Sequence, residues 1–188
     1  MKIFLNALFL FFIIIFLPSI ACSQGVGKTN LGFTAGVSVP TDFEEFTRDH
    51  KGGFNVTAFV ESNFTRNLTL GMSGSLSNYP YRGIYTPGPH RYISANYYFK
   101  IQDNLLKEGK VQLFAKGGAG IFKGMEKFEL EAERLTLSGF SFLAGAGANY
   151  LFEQGKKIFF EADYEINIKS VSSFQFKLGL SFCLNPDL

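Results

Sequence analysis

Apolar and polar residues alternate in the C-terminal part of the chain. In residues 174–182 (FQFKLGLSF) every second residue is apolar, and the residues between them are Gln, Lys, Gly and Ser. Successive side chains of a β-strand point to opposite sides, so this period of two predicts a strand with one apolar face and one polar face. Seven earlier runs show the same alternation, at about 31–39, 54–61, 68–77, 92–100, 111–121, 140–152 and 158–168.

The links between these runs differ in length in a regular way. Links one, three and five (about 40–52, 78–89 and 123–136) are long, whereas links two, four and six (about 63–67, 102–109 and 153–157) are shorter. The seventh, at 169–173, is also short. Eight period-two runs without a convincing long helix predict an all-β chain. Alternating link lengths favour an antiparallel up-and-down barrel whose long loops share one end.

The composition of the polar face decides which side of this barrel faces outward. A soluble barrel would present many Lys and Glu residues to water, but this face is mostly Gly, Ser, Thr and Asn. Small neutral side chains fit the crowded lumen of an eight-stranded barrel. A tilted run of roughly ten residues also covers about 23 Å, close to the apolar band of an outer-membrane barrel. We therefore predict an eight-stranded antiparallel up-and-down transmembrane β-barrel with its apolar face toward lipid.

The N-terminus has the pattern of a signal peptide. An early Lys2 is followed by an unbroken apolar run at 7–17, by Pro18 and by small residues. The apolar run is too short for a spanning helix, which needs about 20 apolar residues. Cleavage after Ser23 divides the chain into a signal peptide (1–23) and a barrel domain (24–188). Cleavage after Ala21 is the alternative, and it would expose Cys22 for lipidation.

Charge and cysteine content exclude several classes of protein. The formal charge is +2 and falls to +1 when Lys2 leaves with the signal peptide, so no strong field indicates nucleic-acid binding. Cleavage after Ser23 removes Cys22 and leaves only Cys183, which can form no internal disulfide.

Charged residues also occur on the predicted inward face. Glu161, Asp163 and Glu165 lie on the seventh strand beside Lys177 of the eighth. Glu61 and Lys116 share the same lumen. Because an unpaired buried charge costs several kcal/mol, we interpret these six residues as a structural polar network. A proton or ion path is the alternative.

The sequence gives little support to catalysis. His50 and His90 are the only histidines, both in or beside long links, and Asp49 is merely a sequence neighbour of His50. We find no metal-ligand spacing, phosphate loop or cofactor signature. We therefore predict no enzymatic activity, no catalytic residue, no metal and no cofactor.

The whole pattern resembles the small eight-stranded outer-membrane barrels of the OmpA, OmpX and OmpW type and the outer membrane protein beta-barrel domain of Bacteroidetes. The resemblance covers about 30–182. It extends to the last strand, whose alternation up to Phe182 is similar to the C-terminal signal that barrel assembly machinery recognises. Three features depart from it: six residues (CLNPDL) follow Phe182, the chain has no Trp, and no peptidoglycan-binding domain follows the barrel.

The resemblance implies a location and partners. It places the chain in the outer membrane of a Gram-negative bacterium, as a monomer in contact with lipid and with the assembly machinery. An extracellular partner at the long loops is also implied. The third long link, 123–136, is either a hairpin that projects the barrel wall, which resembles the protruding sheet of the OmpX type, or a short surface helix. An exposed strand edge there could pair with a partner's strand.

Two functions follow from this reading. The first is a structural or adhesin-like surface-interaction role for a barrel whose lumen is filled by side chains. The alternative is a small-solute channel or transporter of the OmpW or porin-like type. The glycine-rich segments GGAG (117–120) and GAGA (145–148) leave room inside and favour the alternative, while the lumen charges favour the first.

Overall fold

The computed structural model describes residues 27–41, 50–81, 91–127, 136–152, 156–168 and 170–184. Within these ranges the chain forms eight antiparallel strands that close into a single barrel in chain order. The strands are β1 (Thr29–Pro40), β2 (Gly53–Asn63), β3 (Leu68–Pro80), β4 (Arg91–Glu108), β5 (Val111–Lys127), β6 (Thr136–Leu151), β7 (Lys157–Asn167) and β8 (Ser173–Cys183). The predicted eight-stranded up-and-down architecture is confirmed.

Pairing between the first and last strands closes the barrel. β1 pairs with β8 from Asn30 opposite Cys183 to Pro40 opposite Ser173, so the sheet has no free edge. The register places apolar residues opposite apolar residues: Leu178 faces Ala35 on one side and Phe160 on the other. A slip of one residue would move every side chain to the other face, so the alternating pattern itself specifies the register.

The apolar face is the outer face. Leu178 is 62% exposed, whereas the adjacent Lys177 is 3% exposed. The same contrast recurs around the barrel, where exposed Val, Leu, Ile, Phe, Met and Tyr side chains alternate with buried polar ones. An apolar exterior on a closed barrel, in which the strands satisfy one another's backbone groups, is the arrangement that a lipid bilayer accepts. No helix in the described ranges is long and apolar enough to span a membrane.

Three predicted links were too long, and the third of the chain (about 78–89) begins only after β3 ends at Pro80. β4 continues through the region predicted as the fourth link and turns only at Gly109 and Lys110, where Gly109 has a φ of 58°. That left-handed conformation favours glycine in a tight turn. The polar residues 102–104 hide this continuation in the sequence, but backbone pairing does not require apolar side chains. A register shift between Asn104 and Leu106 leaves Leu105 outside the β4–β5 pairing.

The fifth link was also predicted to start too early. β5 runs to Lys127, and Met125 pairs with Thr136 at the start of β6. Residues 128–135, on which the choice between hairpin and helix depends, lie outside the described residues. The predicted signal peptide with Cys22, His90 and the tail 185–188 lie outside them as well.

Candidate functional site

Most buried polar side chains of the described residues point into the lumen. Strand β7 runs along the lumen from the end with the short links to the end with the long links. Inward side chains of β7 alternate with exposed apolar ones because its sequence, KIFFEADYEIN, has a polar or aromatic residue at every second position. Counted from the short links toward the long links, the inward residues are Lys157, Phe159, Glu161, Asp163, Glu165 and Asn167. They define successive layers of contacts across the barrel.

The layer nearest the short links combines an ion pair with aromatic rings. Lys100 Nζ lies 3.0 Å from Glu61 Oε2, and Lys157 Nζ lies 3.9 Å from Glu61 Oε1. The same Lys100 ammonium lies 3.9 Å from the centroid of the Phe59 ring, which is a cation–π contact. Phe59 and Phe159 meet edge to face with centroids 5.6 Å apart. Since these residues come from β2, β4 and β7, this layer spans the lumen.

The middle layer is a compact group of two cations and two carboxylates. Lys116 Nζ lies 2.6 Å from Glu161 Oε2 and 2.9 Å from Asp163 Oδ2. Lys177 Nζ donates to Asp163 Oδ2 at 2.8 Å and lies 3.7 Å from Glu161 Oε1. None of the four side chains is more than 7% exposed. The formal charges cancel, as a buried ionic group requires.

The next layer replaces ion pairs with hydrogen bonds. Glu165 Oε1 accepts from the amide nitrogens of Asn96 at 2.9 Å and Asn167 at 3.3 Å. Ser141 donates to the Asn167 amide oxygen at 2.6 Å, and its hydroxyl is also 2.5 Å from that of Tyr98. These contacts join β4, β6 and β7. Within the described residues, no lysine or arginine lies within ion-pair distance of Glu165.

Tyrosines close the end of the lumen near the long links. The hydroxyl of Tyr79 is 2.6 Å from that of Ser38, and the hydroxyl of Tyr92 is 2.6 Å from that of Ser170. The two rings lie 6.2 Å apart and form a buried cluster with Val171. The last link therefore packs against the barrel mouth.

The glycine-rich strands provide space that inward side chains occupy. A Cβ atom at Gly145 would overlap the Asp163 carboxylate, and one at Gly147 would overlap the Phe114 ring. A Cβ atom at Gly179 would overlap the ring of Phe159. These glycines thus allow larger side chains to fill the lumen.

The structure places all six predicted lumen residues inside the barrel and buries each of them. They are Glu61, Lys116, Glu161, Asp163, Glu165 and Lys177. Five of them form ion pairs, whereas Glu165, expected beside Lys177, bonds to amides instead. The prediction omitted Lys100 and Lys157, the cations that pair with Glu61. The alternation could have identified both lysines, because each lies two residues from an inward-facing residue of its own strand.

His50 lies at the barrel mouth and not in an exposed loop. It is buried, forms a bridge with Tyr81 and meets that ring edge to face at 5.6 Å. No group of three or more His, Cys, Asp or Glu residues in the described ranges is arranged to hold a metal ion.

Phe182 lies at the other end of the barrel. It is exposed on the outer face one residue before the end of β8, opposite Leu31 of β1. Its predicted part in assembly stays a prediction.

No protein-family model and no curated protein sequence matches the chain. Solved structures do match it. Neisserial surface protein A superposes with a TM-score of 0.60 at 10% identity, covering 84% of this chain and 97% of that one. Ail, the attachment invasion locus protein of Yersinia pestis, superposes with a TM-score of 0.53 at 16% identity, covering 84% of this chain and 99% of that one. The outer membrane protein OprG of Pseudomonas aeruginosa superposes with a TM-score of 0.61 at 7% identity, covering 85% of this chain and 98% of that one.

These superpositions establish a common fold, but at identities this low they establish no shared activity. The closed barrel, its apolar exterior and these superpositions define the class: a small eight-stranded β-barrel of the outer-membrane type.

Proposed function

We propose that this chain is an integral outer-membrane protein of a Gram-negative bacterium, with a lumen closed by its own side chains and a role in contacts at the cell surface. The observation that supports this most is the succession of contacts across the lumen. Ion pairs join β2 to β4 and β5 to β7, and hydrogen bonds join β4 to β6 and β7. Each layer occupies the space through which a solute would pass.

The lumen residues serve this role as a structural network. Five of the six predicted charged groups form ion pairs and Glu165 accepts hydrogen bonds from amides, so we propose no catalytic step, no metal and no cofactor. The channel alternative drew on the glycine-rich strands, but Phe114 and Asp163 occupy the space beside Gly147 and Gly145. That alternative remains as an outcome of the test below.

The surface role draws on the arrangement of the links. The three long links all leave the barrel at one end, and their sequences contain charged segments such as TDFEEFTRDHK (41–51). Among proteins of the same fold, one is a surface protein and another an attachment invasion locus protein. The second has been solved with the heparin analogue sucrose octasulfate. By analogy, the long links of this chain are where an extracellular partner would bind.

Conductance in planar bilayers tests the closed lumen. Folded protein is reconstituted and its insertion verified by protease protection, with a general porin as the positive control. We expect no resolved current steps from this chain. Reproducible ion-selective steps would instead establish the channel reading.

Epitope tags test the orientation. A tag inserted within 42–49 should be labelled by antibody on intact cells, whereas one within 153–155 should be labelled only after the outer membrane is permeabilised. Labelling of the second tag on intact cells would show that the barrel is inverted, and would place the interaction surface at the wrong end.

A further inference from the structure

A pocket opens at the rim of the barrel, at the end that contains the short links. Its volume is about 530 Å³. The lining residues come from the β4–β5 turn, the β6–β7 link and the adjoining ends of β7 and β8. They are Lys110, Phe152, Lys156, Lys157, Ile158, Leu180, Ser181 and Phe182.

One wall of the pocket belongs to the apolar exterior. Phe152, Ile158, Leu180 and Phe182 are each exposed by between 37% and 48% of their surface. In the membrane this wall faces lipid tails, and its aromatic members lie at the depth where interfacial belts form. The pocket is therefore continuous with the lipid-covered surface.

The other wall is cationic. Lys110 and Lys156 are exposed at its edge, and within the described residues neither forms an ion pair. Lys157 points inward to Glu61, with 3.9 Å between the charged atoms. Among the described residues no acidic side chain lines the pocket; Glu108 precedes the same turn but lies outside the lining.

Backbone hydrogen bonds hold both lysines near the pocket. The Leu151 N–H donates to the Lys110 carbonyl at 2.8 Å, and the Phe152 N–H donates to the Lys156 carbonyl at 2.9 Å. The turn that contains Lys110 and the link that contains Lys156 are thereby tied to the same end of β6. The backbones of the two lysines are in this way fixed at neighbouring points beside one apolar wall.

We propose that this pocket binds one anionic phospholipid of the inner leaflet. Lys110 and Lys156 pair with the phosphate, and the acyl chains lie against Phe152, Leu180 and Phe182. Charge complementarity selects an anion, and the apolar wall that continues into the bilayer selects an amphiphile over a soluble phosphate. Basic residues near a membrane surface are attracted to anionic lipid head groups.

This inference rests on the proposed membrane insertion, and a site-specific probe separates the two. The chain contains no tryptophan, so Phe152→Trp introduces a single tryptophan, which can be excited selectively, into the pocket wall. The full mature protein is folded into phosphatidylcholine vesicles that contain a small fraction of brominated phosphatidylglycerol or, in a parallel set, the same fraction of brominated phosphatidylcholine. Bromine quenches tryptophan at short range, so the difference between the two sets reports local enrichment of the anionic lipid.

A double substitution and a matched control assign the enrichment to the pocket. We expect brominated phosphatidylglycerol to quench at least twofold more than brominated phosphatidylcholine. This difference should disappear when Lys110→Gln and Lys156→Gln are combined. Removing the same charge at the opposite end, with Arg91→Gln and Lys123→Gln, should leave it unchanged, since both residues are exposed far from the pocket. In a separate Phe140→Trp variant, with the fluorophore on the outer face near the long links, both lipids should quench equally.

Three results would overturn the proposal. Equal quenching by the two lipids in the Phe152→Trp variant would show no selectivity, and enrichment that persists in the double lysine variant would place it elsewhere. Enrichment that appears only when the chain is stopped after Leu184 would show that the C-terminal tail fills the pocket. An absence of quenching by either lipid would contradict membrane insertion itself.

Discussion

Replacing Lys116 by Met should destabilise the barrel strongly, because it removes one of the two cations from the middle layer of the lumen. Lys116 contacts Glu161 at 2.6 Å and Asp163 at 2.9 Å, and its side chain is 4% exposed. Without it, two buried carboxylates share the single ammonium of Lys177. That ammonium lies 2.8 Å from Asp163 but 3.7 Å from Glu161.

The expected loss follows from the cost of leaving a buried charge without its partner. Breaking a buried ion pair costs about 3 to 5 kcal/mol. Because Lys177 still lies near both carboxylates, we expect the lower end, about 3 kcal/mol of unfolding free energy. Removing one charge of each sign, with Lys116→Met and Asp163→Asn together, should cost less than the sum of the single losses by about 1 to 3 kcal/mol, as for directly interacting pairs.

The assay is urea unfolding in lipid vesicles, started from both folded and unfolded protein so that equilibrium is shown. The four forms of a double-mutant cycle are compared with Lys123→Met, an exposed lysine whose loss should change stability by no more than about 0.5 kcal/mol. A loss below about 1 kcal/mol for Lys116→Met would refute the reasoning. So would strictly additive effects of the two substitutions, which would mean that water or mobile ions already screen the cluster.

Three further predictions concern the surface and packing of the barrel. Leu178→Arg should cost about 2 to 4 kcal/mol and Leu184→Arg about 0 to 1 kcal/mol in the same vesicle assay, because an arginine is costly only deep in the bilayer; equal costs would show that the outer face is misassigned. Phe182→Ser should lower the amount of heat-modifiable barrel in the outer membrane while a stop codon after Phe182 should not, and the reverse pattern would remove the basis for an assembly signal. Gly147→Val should lower the unfolding midpoint because a side chain there meets both the Phe160 backbone carbonyl and the Phe114 ring. Combining it with Phe114→Ala should recover the part of the loss that the ring causes; no recovery would argue against a filled lumen.

The strands and their faces were predictable because they follow from a local pattern. The alternation of side chains along β8 alone decides that Leu178 points outward and Lys177 inward. Because paired residues on neighbouring strands point to the same side, the same rule assigns the faces of every strand. Strand ends were less predictable. β4 continues past Gln102 because backbone hydrogen bonds to β5 persist where the apolar alternation stops.

Which side chains enter the lumen follows from the same alternation, although the prediction omitted Lys100 and Lys157. Which of them pair with one another does not follow from it. Glu61 pairs with Lys100 and Lys157, which come from β4 and β7 and not from a strand that neighbours β2 in the sheet. Which charged groups meet depends on the tilt of the strands and on how far each side chain reaches across the barrel. The alternation of apolar and polar residues predicts neither. The same holds for the pocket at the short links, whose lysines are 46 residues apart in the sequence (110 and 156).

Membrane extraction combined with gel mobility tests most directly whether the apolar face of this closed barrel faces lipid. Membranes from expressing cells are washed with alkaline carbonate, solubilised in detergent, and run on gels with and without boiling. We expect the protein to stay with the washed membrane and to migrate differently before and after boiling, because a barrel without a free edge resists detergent until it is heated. Complete release into the soluble fraction without detergent, with one mobility under both conditions, would contradict this expectation.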